Sequence, residues 1–345
     1  MLTASVSAQS SSRVAPKPPV SPSPQPTVSP SAEPSSSALG SSSGSGAGLT
    51  GLRPTPGGPA APAGPLPTLK ELEARVAFRG GFHEVRSRHF LVKTDIDARF
   101  AAELAAFMDR MREGFDALLP GTDRVAAEGV VPLVVVYGDR EDYRALSRDN
   151  SRGLFRWEYE TRGGRRTMTE FAVYSYAAGP AERAFAGFPR TVLLHEGCHL
   201  LLQSRAGFET IPPWFQEGLA GVLEQWDLAE GIEANLARIT ARRRSADAVA
   251  EALRRGRLPP LREMAGQERM DVDGFGRRTT LNYRRAEALI VFLLSDPPGG
   301  PRRKLLRGAY ERFLDGKPDD AHAHLFSGDA GGRLEADWVN WVRGR

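Results

Sequence analysis

Val192-Leu193-Leu194-His195-Glu196-Gly197-Cys198-His199-Leu200-Leu201-Leu202 is the stretch on which the reading of this chain turns. Two imidazoles and a carboxylate interrupt a run that is otherwise apolar and long enough for a buried helix. His195 and His199 are four residues apart, so on a helix they stack on one face. That spacing lets both rings converge on one Zn2+, whose nitrogen ligands sit at about 2.0–2.1 Å. Glu196 is turned one step around the helix. It can reach a water on the metal without being a ligand, take its proton and pass it on. The plainer reading is a pair of satisfied core histidines. Burial weighs against it, because polar groups among leucines are costly unless something binds them.

A zinc site of this kind needs a third protein ligand. Pro212-Pro213 sets the start of a second helix, which continues Trp214-Phe215-Gln216-Glu217-Gly218-Leu219-Ala220. Glu217 follows His199 by 18 residues. That gap accommodates the end of the first helix, a loop through Ala206-Gly207 and a second helix packed against the first. Glu217, in the first turns beside the loop, is the favoured ligand. Glu224, seven residues further along the same face, is the competing choice. Gly218 is read as the point where these two helices approach closely. Cys198 is read as a small core residue.

Outward from this pair the pattern is α+β. Arg88–Thr94 alternates as a strand, Ala98–Leu119 has helical apolar spacing closed by Pro120-Gly121, and Val131–Tyr137 is a buried-strand run. Arg140–Ser147 reads as a short helix. Leu154–Tyr159 and Met168–Ser175 flank Arg162-Gly163-Gly164-Arg165 as a hairpin. Beyond it the chain reads as helices: Pro189–Gln203, Pro213–Asp227, Ile232–Arg255, Tyr283–Leu294, Arg302–Leu314 and Leu334–Arg343. His83 and His89 flank the first strand, and His322 and His324 fall in a polar loop. None of the four carries a site.

The two motifs together resemble the gluzincin class of zinc metallopeptidases, in which HExxH is followed by a glutamate one helix-turn-helix later. Pro213-Trp214-Phe215-Gln216-Glu217-Gly218-Leu219-Ala220 is similar to the P-W-x-x-E-G-L-A segment of the peptidase MA-like families of bacterial proteins. The likeness spans roughly residues 85–343 and includes Tyr283-Arg284-Arg285-Ala286-Glu287-Ala288 and Leu334-Glu335-Ala336-Asp337-Trp338. It implies a zincin-like metallopeptidase fold, with a small mixed sheet in the N-terminal half, a helical C-terminal half and the zinc site on the HExxH helix. It also implies Zn2+ on His195, His199 and Glu217, Glu196 as general base, and Tyr283 as the donor that stabilises the oxyanion. In zincins the strand edging the cleft binds substrate as an added strand. The strand before the motif helix, Met168–Ser175, is the candidate here, with Tyr174 and Tyr176 lining the cleft. One departure stands out. Related enzymes often carry an aspartate four residues after the third ligand to orient a ligand histidine. Gly221 stands at that place, so this support must come from elsewhere.

The implied activity is hydrolysis of peptide bonds in a peptide or protein substrate. The alternative is a non-catalytic binding or scaffolding module of the cell envelope built on the same fold. Residues 1–68 hold 14 of the chain's 26 prolines and no aromatic residue, and read as a disordered Pro/Ser/Gly-rich tail or linker. Residues 69–345 form the expected metallopeptidase domain, opened by a short helix at Leu69–Ala77. The net charge of +4 gives no basis for nucleic-acid binding, and no apolar run approaches a membrane span. The single cysteine excludes an internal disulfide or a cysteine zinc cluster. Ser5-Val6-Ser7-Ala8-Gln9 has the small-residue spacing of a signal-peptidase site. With the tether-like tail, this leads to an expectation of export to the periplasm or cell envelope.

Overall fold

Asp97 starts the first long helix by accepting a hydrogen bond from the Phe100 N–H at 2.6 Å, a cap worth about 1 kcal/mol. This helix, α1 (Ala98–Leu118), buries Phe100, Leu104, Met108, Met111 and Phe115 at three- and four-residue spacing. It connects two parallel strands of a five-stranded sheet. The computed structural model describes residues 81–124, 130–146, 151–162, 165–206, 210–266 and 277–344. The low-complexity tail and the helix expected at Leu69–Ala77 lie outside the described residues. No helix among the described residues is long and apolar enough to cross a membrane.

The strands are β1 (His83–Arg86), β2 (Leu91–Thr94), β3 (Leu133–Tyr137), β4 (Gly153–Arg162) and β5 (Arg165–Tyr176), in the order β1-β2-β3-β5-β4. β2, β3 and β5 run parallel to one another, and β1 and β4 are antiparallel additions at the two edges. Central β3, Leu-Val-Val-Val-Tyr, is buried at every position, as a strand covered on both faces must be. Alternation sends Val92, Val134, Val136, Phe155, Phe171 and Val173 to one face, where α1 and α3 (Arg190–Ala206) pack. Leu133, Val135, Tyr137, Leu154, Ala172, Tyr174 and Tyr176 face the other side, with Tyr143 of α2 (Arg140–Leu146).

This arrangement corrects the expected cleft strand. β5 is an interior strand, hydrogen-bonded to β3 and β4, and the edge belongs to β4. Tyr174 and Tyr176 point into the cluster on the far face of the sheet from α3, so they line no cleft beside the HExxH helix. Period-2 alternation was visible in the sequence, but which strand ends up at the edge depends on crossover order.

The C-terminal half is helical throughout: α4 (Pro213–Leu223), α5 (Ile232–Arg242), α6 (Arg244–Arg254), α7 (Leu261–Ala265), α8 (Arg277–Leu294), α9 (Pro301–Leu314), α10 (Pro318–Phe326) and α11 (Gly328–Val342). The single helix expected over Ile232–Arg255 is broken at Arg243, which sits in the left-handed region at φ 47°. Its guanidinium donates to the Trp341 and Val342 carbonyls at 2.7 and 2.8 Å and lies over the Trp341 ring, closing the end of α11. Those bonds offset the strain of a non-glycine residue there. The loop expected around His322 and His324 is instead helix α10, with Pro318 in its first turn.

α4 packs against both α3 and α8. Gly218 faces α8: a β-carbon there would lie 2.6 Å from the Ala286 carbonyl oxygen. The close approach expected between α3 and α4 is therefore made between α4 and α8.

Candidate metal centre

Every residue of α3 from Val192 to Ala206 is buried. A helix apolar on all sides belongs at the centre of a fold, and α3 lies between the sheet on one side and α1 and α4 on others. Its polar residues are therefore forced into the interior. Gly197 is where α1 comes closest, since a β-carbon there would meet the Met111 sulfur at 2.8 Å.

The His195 and His199 rings meet edge to face with centroids 5.1 Å apart, neighbours as a four-residue helical spacing makes them. Glu217, in α4, meets both rings. Its Oε2 is 3.4 Å from His195 Nε2, and its Oε1 is 3.7 Å from His199 Nε2. One ligand atom from each of the three residues falls within 4.8 Å of the others, and all three residues are buried. His195 Nε2, His199 Nε2 and Glu217 Oε2 have no hydrogen-bond partner among the described residues. Buried polar atoms without a hydrogen-bond partner are costly. A cation placed among them removes that cost, so the triad fits a metal ion.

The surrounding groups hold the triad in place. His195 Nδ1 lies 3.2 Å from Glu224 Oε2, which fixes the ring so that Nε2 faces Glu217. Glu224 sits at the C-terminal end of α4, where a negative charge opposes the helix dipole; pairing with the His195 ring compensates for that placement. Gln203, one turn beyond His199, donates to Gln216 Oε1 at 2.9 Å, and Gln216 donates to the Ile211 carbonyl at 2.7 Å. These two bonds lock the first turn of α4 to α3. Behind Glu224, Gln225 donates to Glu287 on α8, and Arg284 pairs with the same carboxylate at 2.7 Å. Burial raises the Glu287 carboxyl above the usual range despite Arg284.

Glu196 also meets the sheet. Its Oε2 accepts the Phe155 backbone N–H at 3.0 Å. Phe155 lies on β4, whose other side pairs with β5, so this amide points outward from the strand edge. The general-base candidate is thus tied to the edge strand, one residue away from a metal-ligand candidate.

Charge is distributed unequally over the two histidines. Burial disfavours the charged form of His195, but Glu217 and Glu224 outweigh it and hold the imidazole well above its ordinary value. Burial lowers His199 to about 4. The two carboxylates thus favour positive charge at His195. Burial and the nearby carboxylates push the Cys198 thiol well up, so it stays protonated and apolar in character.

The structure brings together His195, His199 and Glu217, while Glu196, next to His195 in α3, meets the Phe155 amide of β4. Tyr283 lies within α8, half-buried against the main core, rather than at a helix start, because α8 begins at Arg277. Glu224, weighed in the sequence as an alternative ligand, is instead the partner of the far nitrogen of His195. The support that Gly221 could not provide comes from this residue, three positions on. The Phe155 amide was not foreseeable, since a backbone N–H leaves no mark in residue type. No known family model matches the chain, and no curated protein matches it.

Proposed function

We propose that this chain is a zinc-dependent peptidase of the gluzincin type with a zincin-like fold. The observation that carries this reading is the convergence of His195 Nε2, His199 Nε2 and Glu217 Oε2, unpaired and buried, one residue from a carboxylate that is not a ligand candidate. Two imidazoles and one carboxylate are the donor set of hydrolytic zinc sites, which keep a fourth position open. Zinc bound by these three residues supplies Lewis acidity, which polarises a carbonyl and makes water a nucleophile near neutral pH.

The remaining steps fall to the chain itself. Glu224 keeps the His195 ring in one tautomer by holding Nδ1–H, which also raises the basicity of Nε2. The Phe155 N–H holds Glu196 Oε2 and so fixes where this carboxylate sits. Glu196 takes a proton from the attacking water and delivers it to the departing amine. A peptide substrate adds to the edge of β4, where main-chain groups give affinity. Tyr283 is the proposed donor to the oxyanion.

The test is Glu196→Gln. It keeps size and hydrogen bonding while removing the base. The expected result is unchanged metal content with hydrolysis of a peptide library reduced by about 10²–10⁴-fold. Hydrolysis at the wild-type rate would overturn the reading.

A further inference from the structure

Gly153 opens β4 directly above α3. A β-carbon at this position would lie 2.8 Å from Glu196 Cγ and 3.3 Å from Glu196 Oε1, and would contact Val192 Cγ1 more closely still. Two residues along the strand, the Phe155 N–H holds Glu196 Oε2. Residues 153 and 155 share one face and one edge of an alternating strand. The edge strand therefore acts on this carboxylate twice: a hydrogen bond draws one oxygen in, and a missing side chain leaves room for the other.

We propose that Gly153 is a positioning residue for Glu196, and that the absence of its side chain sets where the general base points. The inference rests on the peptidase reading for its consequence in turnover, but not for the positioning itself. Glu196 is buried in α3, a helix packed into the core, and its side chain yields to a methyl group by rotating. Rotation breaks the bond to Phe155. The three atoms nearest a new β-carbon belong to Val192 and Glu196, and no metal-ligand candidate is among them.

The experiment uses the full-length chain with Gly153→Ala, and with Gly153→Ala combined with Val192→Ala. The double variant removes the Val192 methyl groups that also crowd the site. This separates general overpacking of the strand from displacement of Glu196. Three quantities are read: bound zinc per chain, the exchange rate of the 15N-labelled Phe155 amide, and peptide hydrolysis across pH. In both variants zinc content stays at the wild-type level, and Phe155 exchange speeds up at least about tenfold, the loss of one hydrogen bond to a charged group. Hydrolysis falls about a hundredfold, the cost of misplacing a reacting group by about 1 Å. Adding Val192→Ala restores the melting temperature but neither the amide protection nor the turnover.

Wild-type Phe155 exchange in Gly153→Ala overturns the proposal, and so does recovery of protection and turnover in the double variant. Loss of zinc together with amide protection overturns it too, because Gly153 would then be a folding residue only. If the wild-type protein hydrolyses no peptide, the peptidase reading fails, while the amide exchange still decides the positioning.

Discussion

At the scale of single residues, the site is defined by what each buried polar atom faces. His195 is engaged from both sides, with Glu217 beside Nε2 and Glu224 beside Nδ1. Without metal this pair of carboxylates holds a proton on the ring well above the ordinary histidine value, while His199 is neutral down to about 4. At pH 7 the incoming ion must therefore displace a proton from His195 but none from His199. Zinc binding is expected to release about one proton per ion, and apparent affinity should fall as pH falls. Calorimetry in buffers of different ionisation enthalpy measures the release, and pH-independent affinity would contradict it. Glu224→Gln keeps a side-chain acceptor but removes the charge. It should weaken zinc about 10–100-fold, the usual cost of losing a partner behind a ligand, and reduce the proton release. Competition with a chromophoric chelator reads the first effect. An unchanged affinity would show that Glu224 holds nothing the metal needs.

At the scale of elements, the site depends on how closely α4 is pressed onto its neighbours. Gly218 leaves no room against the α8 backbone, where the Ala286 carbonyl carbon and Ile290 Cγ1 would both stand 2.8 Å from a β-carbon. Gly218→Ala must push α4 outward, and Glu217 moves with it. It should cost about 1–3 kcal/mol of stability and weaken metal binding as well. The same change at Gly332, an exposed position of α11 with open space around it, should stabilise by about 0.5–1 kcal/mol through helix propensity alone. Denaturant unfolding of the two variants checks the opposite signs. Equal effects would mean that the α4–α8 contact does not matter.

The elements also show where the sequence was legible. Helix spacing placed two histidines on one face, and the prolines at 212 and 213 marked the start of the helix that carries Glu217. Both are local properties, and both held. What was not legible is non-local. The helix that Gly218 touches, the strand at the sheet edge and the face carrying Tyr174 are all set by tertiary packing. Arg243 breaks a continuous helical pattern because its side chain closes the distant end of α11, a contact that no window of sequence contains. Glu224 was visible on the right face of its helix. Its role was not, because the sequence cannot say which nitrogen of His195 it meets.

At the scale of the whole molecule, the centre is a joint between two halves. The N-terminal sheet contributes a backbone amide from β4, the C-terminal helices contribute Glu217 and Glu224, and α3 stands between them with His195, Glu196 and His199. The three metal-ligand candidates come from two successive helices, α3 and α4, so metal binding should report on the docking of α4 onto α3. The most direct test is zinc content of the purified full-length protein by mass spectrometry, wild type beside Glu217→Ala. About one zinc per chain is expected in the wild type, lost or sharply weakened in the variant. A wild type that takes up no zinc even after reconstitution, or a variant that binds it equally well, would contradict the three-residue centre on which the proposed activity rests.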